Sequence, residues 1–279
     1  MDALALTPVQ HALVGHFFAL ALGAHLVGLV YFLANAPRVA PRYRVGTVLS
    51  VAVMVASGYL FARLGASWDE AFTQVDGRVV GTGKPFDGGL RYVNWLVTVP
   101  VLLVQSLYAF DLARDRVLRL RTVLVASGVL MVLAGYVGQL RAGTDDAWLL
   151  GWGAAGTVPF VVLLVVLLPL LRGARTTLPP SAGTTAGHLA WVVLFSWGLY
   201  PVAYLVPAVS ASATGVVVAQ GLFTAADVGS KVLYGILLAK VLRLRSAADG
   251  YGPAREPADG AVGPAPEHEP YPDRQEAQR

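Results

Sequence analysis

Residues 214–241 read TGVVVAQGLFTAADVGSKVLYGILLAKV, an apolar run broken by two charges, Asp227 and Lys231, before Lys240 closes it. As a helix rising 1.5 Å per residue the run is about 42 Å long, more than the ~30 Å hydrocarbon core of a bilayer. A charge at mid-membrane costs roughly 2.5–3.5 kcal/mol on insertion scales, so such a residue faces the protein interior and is paired. Asp227 and Lys231 stand four apart, one turn from each other on one helical face. The plainer reading is a neutralised structural pair. The alternative is chemical, because a lysine amine in an apolar setting can attack an aldehyde. This stretch alone leaves both open.

The rest of the chain is of the same kind. Six apolar runs precede it, at Pro8–Asn35, Val45–Ala66, Leu90–Leu112, Thr122–Leu140, Ala147–Leu171 and Ala186–Pro207, with Thr214–Val241 as the seventh. Of the 279 residues 56% are hydrophobic and 14% charged, where a soluble domain carries about 25% charged residues. That balance excludes an ordinary soluble enzyme, a nucleic-acid binder and a disordered chain. The absence of cysteine excludes disulfides, thiolate metal sites and cysteine nucleophiles. The sequence predicts an all-α, seven-transmembrane-helix bundle spanning residues 1–245. The first run is too long, and too poor in preceding basic residues, for a cleavable signal.

Basic residues set the expected orientation. Arg38, Arg42 and Arg44, then Arg114, Arg116, Arg119 and Arg121, then Arg172 and Arg175, and finally Lys240, Arg243 and Arg245 fall on one side of the seven runs. The opposite connections hold Asp69, Glu70, Asp76, Asp87, Asp145 and Asp146 against Arg78, Lys84 and Arg141. The N-terminus is then outside and the C-terminus cytoplasmic, in a multi-pass protein of the plasma membrane. Between the second and third runs, Asp76-Gly77 inside QVDGRVV (74–80) predicts a short external β-hairpin. Residues 246–279, rich in Pro, Gly, Ala and charge without periodicity, are expected to form a disordered cytoplasmic tail. No repeat at a fixed period is visible.

The third run carries a polar stripe. At 100° per residue Asn94, Thr98 and Gln105 fall within about 40° of one another, with Arg91 about 60° from Asn94. Helix-to-helix hydrogen bonding explains one such residue; four of them along about 20 Å of one face look more like a pathway.

Three segments on three helices resemble the microbial rhodopsins in order and spacing: FTAADVGSK (223–231), RYVNW (91–95) and WGLYPVAY (197–204). The resemblance extends over all seven runs. It implies that Lys231 holds all-trans retinal, the chromophore, as a protonated Schiff base with Asp227 as counterion. It implies further that Trp95 and Trp197 sandwich the polyene, that Tyr200, Pro201 and Tyr204 complete the pocket with Tyr200 hydrogen-bonded to Asp227, and that Arg91 is the external gate.

Within that family the stripe selects the ion. Proton pumps have a carboxylate where Asn94 stands, and often another where Gln105 stands. Sodium pumps resemble this chain closely but show Asn, Asp, Gln, and Thr98 replaces their aspartate. The Asn-Thr-Gln (NTQ) set resembles the bacterial chloride-pumping branch. A protonated Schiff base beside Arg91 gives two positive charges against Asp227 alone, and an uncompensated buried charge is costly. Chloride, bound by Asn94 and Thr98, would fill the vacancy, and Gln105 and Ser50 would line its exit. The expected function is a light-driven inward chloride pump, an ion transporter and not an enzyme. The competing readings are a light-driven sodium or proton pump and a sensory rhodopsin, a photoreceptor signalling to a partner. Ala142, where sodium-pump relatives carry an acid, weighs against sodium.

Smaller features complete the reading. His11, His16 and His25 sit on the first run without nearby acids, so a metal site is not expected. His16 matches a protomer-interface position of related sodium pumps, which implies a homo-oligomer, trimer or pentamer. Gly153 matches a position where glycine opens a window over the retinal ring for a carotenoid antenna; close helix packing explains it equally well.

Overall fold

The computed structural model describes residues 6–110 and 112–252. Its elements are α1 (Pro8–Asn35), α2 (Pro41–Ala71), β1 (Phe72–Val75), β2 (Arg78–Gly81), α3 (Gly89–Leu107), α4 (Arg114–Gln139), α5 (Asp146–Thr177), α6 (Pro180–Val209) and α7 (Ala213–Ala248). All seven helices are long and apolar enough to cross a membrane. Consecutive helices pack side by side, and α7 returns against α1 and α2 to close the bundle.

Local chemistry starts the helices. Thr7 and Gln10 form a reciprocal capping box at α1, with Gln10 N–H donating to Thr7 Oγ1 at 3.2 Å and Thr7 N–H to Gln10 Oε1 at 3.0 Å. Asp145 accepts Trp148 N–H at 2.9 Å at the start of α5, and Ser212 accepts Gly215 N–H at 3.1 Å at the start of α7. Proline occupies the first turn of α1, α2 and α6, where its missing N–H costs nothing.

The expected hairpin is present. Phe72 pairs with Gly81 and Val75 with Arg78. Asp76 (φ 48°) and Gly77 (φ 74°) at the tip are both left-handed, the geometry of a tight turn that matches strand twist. Val79 bridges to Leu6 and turns into a cluster with Val14, Phe18, Phe61, Leu64, Trp68 and Phe72. His11 stacks on the Trp68 indole, with ring centroids 5.4 Å apart, and Trp68 Nε1 donates to the His11 carbonyl at 3.2 Å.

Elsewhere the distribution is that of a protein solvated by lipid. Trp191 and Phe195 are 66% and 73% exposed, whereas Asn94, Thr98, Gln105 and Asp227 are each 0% exposed. The polar stripe therefore faces the bundle interior.

Several helix ends differ from the apolar runs, because hydropathy marks the membrane and helical hydrogen bonding continues past it. Helix α4 begins at Arg114, before the run at Thr122, and α2 extends at both ends. Helix α3 stops at Leu107, short of Leu112, and passes into tight turns such as Phe110 N–H to Leu107 O at 3.2 Å. Helix α7 runs to Ala248. There Arg245 donates to the Ala109 carbonyl at 2.7 Å, Ser246 Oγ accepts Ala40 N–H at 2.9 Å, and Tyr251 OH donates to the Pro37 carbonyl at 3.2 Å. Arg42 pairs with Asp249 and holds its carboxyl below the usual carboxylate range. Order thus extends through residues 246–252 of the expected tail; 253–279 lie outside the described residues.

Trp68 is fully buried in the hairpin-end cluster. Trp68→Ala is expected to cost about 3–5 kcal/mol, read as a lower thermal transition of the purified protein, whereas His11→Ala, which removes only a stacking partner, lowers it less.

Candidate functional site

The site is built around a turn of π-helix, Val228–Leu233, set into α7. Such turns widen a helix by one residue and concentrate at functional positions. Lys231 lies in this turn, 1% exposed, with Nζ against Asp227 Oδ1. The same oxygen accepts Trp95 Nε1–H at 2.9 Å and Tyr200 OH at 2.8 Å. Ser230 Oγ is 2.8 Å from the Tyr200 oxygen. Asp227 Oδ2 faces Arg91 at 3.4 Å. One carboxylate thus meets donors from α3, α6 and α7. Among the described residues it is the only carboxylate that pairs with Lys231 or Arg91.

Arg91 has a second, shorter contact: its NH2 donates to Gln220 Oε1 at 2.6 Å. The guanidinium lies 4.8 Å from the Phe223 ring centre and 5.9 Å from that of Phe18.

The stripe on α3 divides into two stations, each facing a serine of α2. At the first, Ser57 Oγ donates to Asn94 Oδ1 at 3.0 Å and Thr98 Oγ1 donates to the Asn94 carbonyl at 2.8 Å. At the second, Ser50 Oγ donates to Gln105 Oε1 at 3.3 Å. In both stations the amide nitrogen, Asn94 Nδ2 or Gln105 Nε2, is buried with no hydrogen-bond acceptor among the described residues. A buried donor left unpaired costs about 1–3 kcal/mol, so each nitrogen is a donor still to be satisfied by an acceptor.

Lys231 opens into an apolar cavity between the helices. Trp95, Trp197, Tyr200, Pro201 and Tyr204 all line it, as does Gly153. Tyr204 OH donates to the Leu149 carbonyl at 2.8 Å, which turns its ring towards α5; a Cβ on Gly153 would come within 2.8 Å of Tyr204 Cε1. His25 is buried with Nδ1 2.7 Å from the Ala21 carbonyl, and His16 is exposed on α1. Ala142 lies in the turn after α4.

Two polar contacts escaped the sequence reading although the same angular count finds them. Gln220 stands seven residues before Asp227, and Ser57 seven after Ser50; a seven-residue step returns to within about 20° of one face. Ser230 and the π-helical turn carry no comparable signal.

A seven-helix membrane bundle whose buried lysine, paired with a carboxylate, opens into an aromatic-walled cavity has the form of a retinal protein. The model of the bacteriorhodopsin-like proteins matches residues 12–244, and the chain belongs to that family, the microbial rhodopsins. Its sequence is 30% identical to archaerhodopsin-3 of Halorubrum sodomense over 171 residues, 61% of this chain; the match spans 62% of that protein's length. Its fold is similar to a solved thermophilic rhodopsin (TM-score 0.83, 33% identity, 89% of this chain and 99% of that one). It is similar as well to xanthorhodopsin, a light-driven ion pump with dual chromophore (TM-score 0.81, 31% identity, 89% and 99%).

Removing the shared carboxylate as Asp227→Asn leaves two buried cations with neutral partners. The expected cost is about 3–5 kcal/mol. Tyr200→Phe removes one hydrogen bond to the same oxygen and is expected to cost about 1.5–3 kcal/mol. Denaturant unfolding of the purified variants in detergent orders the two.

Proposed function

We propose that the chain is a light-driven inward chloride pump of the plasma membrane, with its N-terminus outside and its C-terminus cytoplasmic. The observation that carries this reading is the charge count at the Lys231 end of the cavity: among the described residues, Lys231 and Arg91 face Asp227 alone, beside an Asn94 amide nitrogen that meets no acceptor.

The residues present fit retinal. The Lys231 amine is buried, its nitrogen is held at a carboxylate, and the cavity it opens into is walled by aromatic rings. Lys231 would carry the retinal, Asp227 would serve as counterion, Trp95 and Trp197 would flank the chain, and Tyr200, Pro201 and Tyr204 would close the pocket. Bound there, retinal supplies the visible absorption, a light-driven isomerisation and a lasting positive charge at the Lys231 nitrogen.

The protein's own groups then act on the anion. Arg91, on the hairpin side, draws chloride in and balances it. Asn94 offers its unpaired amide N–H as first donor. The Thr98 hydroxyl is committed to the Asn94 carbonyl, and joins the chloride site when it rotates away. Gln105 offers the second unpaired amide on the arginine-rich side, with Ser50 as its partner, and forms the exit. Neither station holds an acid that takes up a proton, so the pathway moves an anion and leaves protons in place.

Two further features follow from the same reading. Gly153, on the cavity wall against the Tyr204 ring, would let a carotenoid antenna couple to the ring of retinal; the likeness to the dual-chromophore xanthorhodopsin supports this. His16, exposed on α1, would contribute to the interface of a homo-oligomer.

Light-driven pH changes test the function. In retinal-supplied cells in chloride, illumination is expected to raise external pH, more so with a protonophore, and sulfate is expected to abolish the effect. Alkalinisation that needs sodium and persists in sulfate, or no change in any salt, would overturn it. Asn94→Ala removes a donor to a charged ligand worth about 1.5–3 kcal/mol and should weaken apparent chloride affinity about tenfold or more.

A further inference from the structure

The chloride reading depends on the site staying one negative charge short. Arg91 is the charge that creates the shortfall, and what holds Arg91 decides whether it persists. Its contact with Asp227 is long, 3.4 Å, and that carboxylate is shared with Lys231, Trp95 and Tyr200. Its short contact, 2.6 Å, is with the side-chain carbonyl of Gln220. Gln220 is 8% exposed and Arg91 3% exposed, so water screens neither well. The guanidinium also lies against the rings of Phe223 and Phe18, which carry no charge.

Glutamine and glutamate have nearly the same shape, but only glutamate would bring a fixed charge. A carboxylate at 220 would hold Arg91 equally well and cancel it. The inner site would then contain two cations and two anions, with no electrostatic place for a mobile one. The amide supplies the hydrogen bond without the charge.

We propose that Gln220 is a specificity-determining positioning residue: it anchors Arg91 at the Asp227 site while leaving the guanidinium uncompensated, and so makes the site require an exchangeable anion. This rests on the chloride reading above. It assigns to one neutral side chain on α7 the task of keeping the vacancy that Asn94 and Thr98 line on α3. It also separates two roles that one residue could fill together, fixing a cation and neutralising it.

Chloride titration of the visible absorption of the purified, retinal-loaded protein tests the assignment. The wild type should show a saturable chloride-dependent shift. Gln220→Glu should need at least tenfold more chloride for half the shift, or show none. Gln220→Met, neutral but without the carbonyl, should keep the chloride shift within about threefold of the wild type. A purely structural tie predicts the reverse order, with glutamate mild and methionine severe. The inference is overturned if Gln220→Glu titrates within twofold of wild type, or if Gln220→Met loses the shift as fully as Gln220→Glu. Gln220→Asp supplies the carboxylate where the glutamate variant does not assemble. Failure of both acids to assemble beside a normally assembled Gln220→Met also overturns it, since a carboxylate then has no place beside Arg91. A wild type blind to chloride would instead overturn the chloride reading itself, and this inference with it.

Discussion

One carboxylate organises the interior. Asp227 sits between Lys231 and Arg91, and accepts from Trp95 and Tyr200 on the oxygen nearer the lysine. Charges buried in a low-dielectric core are tolerated only with close opposite charge and well-made hydrogen bonds. Each of these contacts therefore constrains a helix. Trp95 and Arg91 fix the rotation of α3, Tyr200 that of α6, and the π-helical turn the placement of Lys231 on α7. The register of three helices follows from satisfying a single side chain.

The surrounding bundle cannot draw on the force that assembles a soluble core. Lipid solvates Trp191 and Phe195 as well as a protein interior does, so burying them gains nothing. Close packing and polar contacts between helices take over. Gly183 lets α6 approach α5 until a Cβ would stand 2.9 Å from the Ala174 carbonyl oxygen. Ser57 and Ser50 tie α2 to α3 through the amides of Asn94 and Gln105. At the hairpin end, where Trp68, Phe18 and Phe61 gather under β2, the packing resembles an ordinary aromatic core.

The sequence shows the spans because bilayer thickness imposes a length that composition must meet, and it shows the hairpin because Asp76-Gly77 suits few other backbones. The stripe of α3 is legible as angles. Helix ends are not: Arg114 begins α4 in an environment where charge is welcome, and nothing in hydropathy records that. Nor does hydropathy show that Arg245, Ser246 and Tyr251 would continue the folded unit by hydrogen bonds to Ala109, Ala40 and Pro37. The cavity aromatics are individually indistinguishable from core filling, and only their likeness to a known family separates them. Gln220 and Ser57 escaped for a simpler reason. A glutamine among valines on α7, or a serine on α2, passes for helix glue until its partner is known to be a buried arginine or an amide.

The two stations on α2 and α3 constrain any account of transport. Ser57 with Asn94, and Ser50 with Gln105, lie about 10–16 Å apart along the helices by their residue spacing. Both are built of groups that cannot change charge in the physiological range, and both leave an amide N–H unpaired. A proton relay needs groups that alternate between charged and neutral forms. Amides and hydroxyls offer fixed dipoles instead, which suit a cargo that keeps its own charge. On the chloride reading proposed above, with both stations electrically constant, displacement of the cation at Lys231 is what would favour one station over the other. The direction of transport would then depend on which station that cation faces while Arg91, held by Gln220, stays uncompensated.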